Sequence, residues 1–407
     1  KMSNTQTKNV PELRFPGFEG EWEEKQLGEF CEFNNGINAK KEQYGIGRKF
    51  INVLDILNNN FITYENIIGK VSVPENVEKN NKVEFGDLVF LRSSETREDV
   101  GLCNVYLDKN YALYGGFIIR GKKVSDYNPI FLKEALNIPK KRYEIGSAAG
   151  GSTRFNVSQD ILRKINVKFP PIEEQQKIGD LFSKLDRQIE LEEQKLELLQ
   201  QQKKGYMQKI FSQELRFKDE NGNDYSDWEE KKMGEITTMF SGGTPQSTNT
   251  RYYKGDIPFI RSGEISKTYT ELKINEEALN NSSAKLVEVG DLLYALYGAT
   301  SGEVAISKIN GAINQAVLCI RTNESVEFLL NYLFFSKNKI LNTFIQGGQG
   351  NLSANIIKNL IIETPTIIEQ RKIADFFCNI DNSIEIQGRK LEFLKQRKQS
   401  LLQKMFV

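Results

Sequence analysis

Residues 171–211 and 366–406 align without a gap at an offset of 195 positions, and 19 of the 41 aligned pairs are identical. Self-similarity of this length means two copies of one structural unit, which constrains the fold before any local assignment is made. Each copy opens on Pro-x-x-x-Glu-Gln: Pro170, Glu174 and Gln175 in one, Pro365, Glu369 and Gln370 in the other. The same offset pairs Asn156, Ser158 and Ile161 with Asn351, Ser353 and Ile356. Further upstream the copies drift but stay parallel. Leu13-Arg14-Phe15 and Trp22-Glu23-Glu24-Lys25 return as Leu215-Arg216-Phe217 and Trp228-Glu229-Glu230-Lys231, and Gly86-Asp87-Leu88 returns as Gly290-Asp291-Leu292. The 407 residues therefore divide into variable domain, similar segment, variable domain, similar segment, with boundaries at 13–169, 170–214, 215–364 and 365–407.

The similar segments are predicted to be long helices of roughly 60 Å, at about 1.5 Å per residue. Proline before the first turn and Glu/Gln within it are helix-start signals. Alternating steps of four and three trace an apolar seam through Ile178, Phe182, Leu185, Ile189, Leu196, Leu199, Tyr206 and Ile210, broken at Glu192 and Lys203. The second helix repeats it through Ile373, Phe377, Ile380, Ile384, Leu391, Leu394, Leu401 and Met405, with breaks at the equivalent Gln387 and Lys398. Matched breaks in a sustained seam predict an antiparallel coiled coil in which each helix is the other's partner. Full overlap would place Lys203 near Asp375 and Lys398 near Asp180. Leu191, Leu198, Ile386 and Phe393 are apolar outside the seam, so either another protein or this chain's own domains should cover them.

Between the helices, short apolar runs such as Lys49 to Leu54, Asp87 to Leu91 and Ala316 to Ile320 end in Gly, Asn or Pro and predict strands. Short helices are expected over Ile130 to Leu136 and Val326 to Phe335. The fold class is α+β: two sheet-containing domains separated by two long helices, with an internal pseudo-two-fold repeat.

Composition narrows the chemistry. The chain has no histidine, which removes Ser-His-Asp hydrolysis and His-ligated metal centres. With 55 Lys plus Arg against 54 Asp plus Glu there is no uniformly basic coat, and any nucleic-acid contact must be local. Cys31, Cys103, Cys319 and Cys378 form no CxxC pair and are expected to be buried, reduced thiols. No phosphate-binding glycine loop is present, and no apolar stretch reaches about 18 residues. A soluble, cytoplasmic chain without a metal site or catalytic residues is expected.

Several motifs then carry a resemblance. Ser241-Gly242-Gly243-Thr244-Pro245, Gly255-Asp256-Ile257-Pro258-Phe259-Ile260 and Gly263-Glu264-Ile265 resemble the opening of a target recognition domain from the specificity subunit of bacterial type I restriction-modification systems. Gly290-Asp291-Leu292, Tyr297-Gly298-Ala299-Thr300-Ser301-Gly302, Ile313-Asn314-Gln315-Ala316 and the loop Gly347 to Ser353 continue it. The first domain departs, with Asn34-Asn35-Gly36-Ile37 in place of Gly-Gly-Thr-Pro, and Arg92-Ser93-Ser94 after its Gly-Asp-Leu run.

The resemblance implies a DNA-reading subunit with no chemistry of its own, one half of a split, asymmetric target per recognition domain, and a helical spacer that docks two methylating (modification) subunits. Motor-nuclease restriction subunits would join them. The chain itself would bind no cofactor; S-adenosylmethionine would belong to the modification subunit, and ATP and Mg to the restriction subunit. The rival readings are an autonomous DNA-modifying enzyme and a coiled-coil adaptor without DNA binding.

Base and phosphate contacts need cations and short polar side chains. Candidates in the first domain are Lys40, Lys41, Arg48, Arg92, Ser93, Arg97 and Arg154. In the second they are Thr244, Gln246, Arg251, Arg261, Ser262, Tyr297 and Gln349. Leu191, Leu198, Ile386 and Phe393 are the candidate partner-binding residues. Lys140-Lys141-Arg142-Tyr143 is either a phosphate grip or an exposed helix end, and Asn128-Pro129 reads as a helix cap.

Overall fold

The computed structural model describes residues 9–345 and 351–407. The chain forms two compact units, Lys1–Gln194 with Arg389–Val407, and Lys195–Gly388. The units cut across the sequence repeat. Each takes one globular domain, the first half of one long helix and the second half of the other, the helices being Ile172–Phe211 and Ile367–Met405.

In the first unit a four-stranded antiparallel sheet runs in the order Cys31–Asn35, Ile118–Lys123, Leu88–Leu91, Cys103–Val105. The continuous apolar run Leu88 to Leu91 is fully buried, as a strand covered on both faces requires. A second sheet joins Lys70–Val71, Tyr44–Ile51 and Leu113–Tyr114. The strand expected to reach Leu54 stops at Ile51, because the Asn52 side chain accepts a hydrogen bond from the Leu54 amide at 2.9 Å and starts the helix Val53–Asn58. Asn128 does the same for Phe131 at 2.9 Å and begins the helix Pro129–Asn137, so Asn128-Pro129 is a cap.

The second unit repeats the plan in sheets ordered Thr237–Ser241, Val317–Thr322, Leu292–Ala295, Val304–Ile306 and Lys273–Ile274, Ile257–Ile260, Gly311–Ile313, Lys285–Val287. Its helix Val326–Phe344 continues nine residues beyond the expected end at Phe335.

The repeated motifs meet at the start of each long helix. Glu174 is fully buried and accepts from Arg14 Nε and Nη2, both at 2.7 Å; Glu369 accepts from Arg216 Nε at 3.3 Å and Nη2 at 2.7 Å. Gln175 donates to the Pro170 carbonyl at 2.9 Å and accepts from the Asn128 amide at 3.1 Å, while Gln370 binds Pro365 and Ser325 in the same way. Strands Glu23–Gln26 and Glu229–Lys232 pair with Asn166–Phe169 and Ile361–Thr364, the segments that lead into the helices. The Pro-x-x-x-Glu-Gln spacing therefore holds one helix turn against three other segments of its own domain.

This clamp corrects the expected helix register. Lys398 Nζ meets Asp186 at 2.6 Å in the first unit, and Lys203 Nζ meets Asp381 at 2.6 Å in the second; the anticipated partners Asp180 and Asp375 lie six positions earlier. The helices run antiparallel within each unit, but the first turns, occupied by their own domain, are not free to face the partner helix. The seam also rotates near its end: Tyr206 is 39 % exposed and Met207 is buried in its place, against the core that includes Phe328 and Leu333.

The two ion pairs differ in setting. Lys398 also reaches Glu134 at 3.5 Å, and Glu134 pairs with Lys133 at 2.7 Å, making a four-charge cluster in which Lys133, Glu134 and Asp186 are buried. Burial pushes the Asp186 carboxyl up; burial acts on Glu134 in the same sense, but Lys133 and Lys398 hold it below its ordinary value. At the corresponding place the second unit has Leu330 and Asn331, and Asp381 stays half-exposed. Of the cysteines, Cys31, Cys103 and Cys319 are buried, whereas Cys378 is exposed, contrary to expectation. No helix among the described residues is long and apolar enough to cross a membrane.

Candidate nucleic-acid interface

In the first domain three segments converge beyond the end of strand Leu88–Leu91. The Arg92 amide donates to the Phe117 carbonyl at 2.8 Å, the Arg92 carbonyl accepts from Val157 at 3.0 Å, and Arg92 Nη1 reaches the Gly116 carbonyl at 3.2 Å. Ser93–Ser94 pair antiparallel with Phe155–Asn156. Arg92, Ser93 and Arg154 are thus brought together around Phe117, with the Arg154 guanidinium 5.9 Å from its ring centre. Lys40 and Lys41 are exposed on the turn between Asn38 and Tyr44, both of which border a hollow that Phe117 also lines.

Two candidates are committed elsewhere. Arg97 stacks 4.3 Å from the Phe155 ring and donates to Gly146 at 3.0 Å, bracing the helix Pro139–Ala148. Arg48 lies 4.4 Å from the Tyr111 ring and binds Glu78 at 3.2 Å. In the basic run, Lys141 pairs with Glu144 and Arg142 donates to the Glu98 and Val100 carbonyls, while Tyr143 is exposed.

The second domain uses the same frame with other side chains. Leu296 donates to the Ala316 carbonyl at 2.8 Å, and Leu352 donates to the Leu296 carbonyl at 3.0 Å. Thr244 Oγ1 donates to Gln315 at 2.5 Å. Tyr297 lies beside Gln315; burial pushes its phenol up and the neighbouring amide partly offsets the shift. Thr244 and Tyr297 therefore meet at Gln315, a residue of the Ile313-Asn314-Gln315-Ala316 block that its sequence pattern alone does not single out. Gly242 allows this approach, since a Cβ there would meet the Ile313 carbonyl oxygen at 1.8 Å. Gly36 serves the first domain in the same way against Gly115, at 2.2 Å.

Gln246 and Arg251 are exposed on the following loop. Arg261 and Ser262 sit on a separate turn, where Glu264 and Glu271 take up the Arg261 guanidinium at 3.0 and 2.5 Å and raise its pKa. Gln349 and the glycine pair at 347–348 lie outside the described residues.

Both loop clusters offer donors, acceptors and aromatic edges on rigid sheet ends, the equipment for reading base edges. Burial pushes the thiols of Cys31 and Cys319 up to about 12, which leaves them protonated and poor nucleophiles. Among the described residues no group of three or more Cys, Asp or Glu could hold a metal ion. On the long helices, Leu191, Leu198, Ile386 and Phe393 are 47, 54, 61 and 62 % exposed, so the chain's own domains do not cover them.

Known proteins resemble this chain over nearly its whole length. The family model described as type I restriction modification DNA specificity domain matches residues 19–201 and 225–396. The type I restriction enzyme MjaVIII specificity subunit of Methanocaldococcus jannaschii is 23 % identical over 416 residues, covering 97 % of this chain and 93 % of that protein. A crystal structure of the type I restriction-modification system S subunit from M. genitalium superposes with a TM-score of 0.64 at 16 % identity, over 98 % of this chain and 99 % of the other. A second solved structure, from work on complex assembly and conformational transition of the type I R-M system, gives 0.57 at 17 % identity over 97 % and 98 %.

Proposed function

Because this chain belongs to the family of type I restriction modification DNA specificity domains, we propose that it is the specificity subunit of such a system and reads a split, asymmetric DNA target, one part with each domain. The observation that carries this reading is the pair of matched loop frames bearing unlike side chains. Arg92, Ser93, Gly116 and Phe117 in the first domain stand where Leu296, Tyr297, Gln315 and Ala316 stand in the second. One backbone scaffold presenting two different sets of base-reading groups suits two different half-sites held at a fixed spacing.

The chain does no chemistry itself. Modification subunits, which bind S-adenosylmethionine, dock on the exposed apolar residues Leu191, Leu198, Ile386 and Phe393 of the helices. Restriction subunits, which use ATP and Mg, complete the complex. The test is methylation mapping. The chain with its modification subunits is expected to methylate adenine within a two-part site, and exchange of residues 13–169 for another first domain should alter one part only. Methyl transfer by the chain alone, or a change in both parts, would refute the reading.

A further inference from the structure

Phe117 is 58 % exposed, although the position is one that the second domain fills with a buried alanine, Ala316. The two are equivalent because each carbonyl accepts the same 2.8 Å hydrogen bond, from Arg92 in one domain and Leu296 in the other. More than half of this aromatic ring therefore stays in water at the centre of a polar loop cluster.

The ring separates two open hollows of about 440 and 260 Å³. Val53 and Leu57 wall the larger one beside the hydroxyls of Ser93 and Thr96; Tyr44 and Asn38 line the smaller. Resting on the DNA-specificity reading above, we propose that Phe117 reads the 5-methyl group of a thymine in the half-site recognised by the first domain.

Three observations select this base and this mode of contact. Thymine shows the major groove an apolar methyl next to a single acceptor, O4, whereas cytosine shows a donor and no methyl. The Phe117 edge supplies the apolar surface, and hydrogen-bond donors stand on both sides of it, the guanidinium of Arg154 and the carboxamide of Asn38. The Arg154 guanidinium lies over the ring face, so that face is not free to stack between base pairs; the edge is what the duplex meets. Among the described residues, the second domain has buried Ala316 at this position and the polar Gln315 and Tyr297 in the corresponding loops.

The experiment uses the chain assembled with its modification subunits and duplexes of the mapped target in which each thymine of that half-site is replaced in turn by uracil, which deletes only the methyl. Loss of one buried methyl corresponds to about a fourfold weaker binding. Wild type should show this loss at one position; Phe117→Ala should bind the thymine and uracil duplexes equally at that position, and Phe117→Leu should retain part of the difference. Indifference of wild type to every methyl in that half-site would overturn the proposal. So would a Phe117→Ala complex that keeps the full difference, or one that weakens equally on both duplexes without abolishing it. A wild-type complex with no site preference would instead overturn the specificity-subunit reading itself.

Discussion

Replacing Arg14 with methionine should unfold the first unit far more readily. Methionine keeps much of the apolar stem but removes every donor, and Glu174 has no solvent exposure with which to recover them. Both carboxylate oxygens lose a 2.7 Å partner, and Gly20 loses a 2.6 Å one. Stranding a buried charge costs about 3–5 kcal/mol. Against a urea dependence of about 2 kcal/mol per molar, the midpoint should fall by about 2 M. The chain has two tryptophans, Trp22 in the first unit and Trp228 in the second. Trp22 is buried with its ring 5.8 Å from Phe131 and 6.3 Å from Phe406, so a Trp228→Phe background leaves a single tryptophan, excited selectively beyond the tyrosine absorption, that reports the first unit. Adding Glu174→Gln to Arg14→Met should restore most of the loss, because the buried charge is gone. A midpoint change below about 0.3 M, or a double variant no more stable than the single one, would show that the clamp does not hold the helix start.

The two interhelical lysines should differ in weight. Lys398→Met, which uncovers the buried Asp186 and Glu134, should cost about 3 kcal/mol, and Lys203→Met, facing the half-exposed Asp381, less than about 1 kcal/mol, measured by urea unfolding. Acid sensitivity should depend on Arg321. Burial alone would push the Asp291 carboxyl up, but Arg321 at 2.7 and 2.8 Å holds it below 3.8, so its stabilising contribution is present above that pH and lost as pH falls through the folded value. In Arg321→Met burial opposes the ionised form of Asp291, so less stability should be lost on acidification; a variant whose Trp228-reported unfolding midpoint falls between pH 5 and 3 as far as that of the wild type would contradict this.

The duplication, the two helices and their antiparallel pairing were legible because identical spacing leaves a mark on one sequence. The axial register was not. A period of 3.5 residues assigns a face to a helix but says nothing about where along the partner it stops, and here that is decided by Arg14 acting on Glu174 from 160 positions away. The loops were legible as motifs and less so as sites. Arg97 and Arg154 look alike in sequence, yet one braces Gly146 and the other stands by Phe117. Gln315 escaped notice because an amide gains importance only when Thr244 and Tyr297 fold onto it.

The division of the helices between the units has a consequence for a chain of half the length. The first unit is completed by Lys398 on Asp186 and by Phe406, which packs on Trp22, Phe131 and Phe182. Both residues have counterparts 195 positions earlier, Lys203 and Phe211. A polypeptide ending after Gln213 therefore carries, at its own end, a copy of the piece it lacks. Two such polypeptides should exchange helix ends and close into a symmetric dimer that sediments at twice the half-chain mass; a stable monomer would refute this. The full chain then corresponds to two such halves joined in one polypeptide, each supplying the helix end that completes the unit of the other.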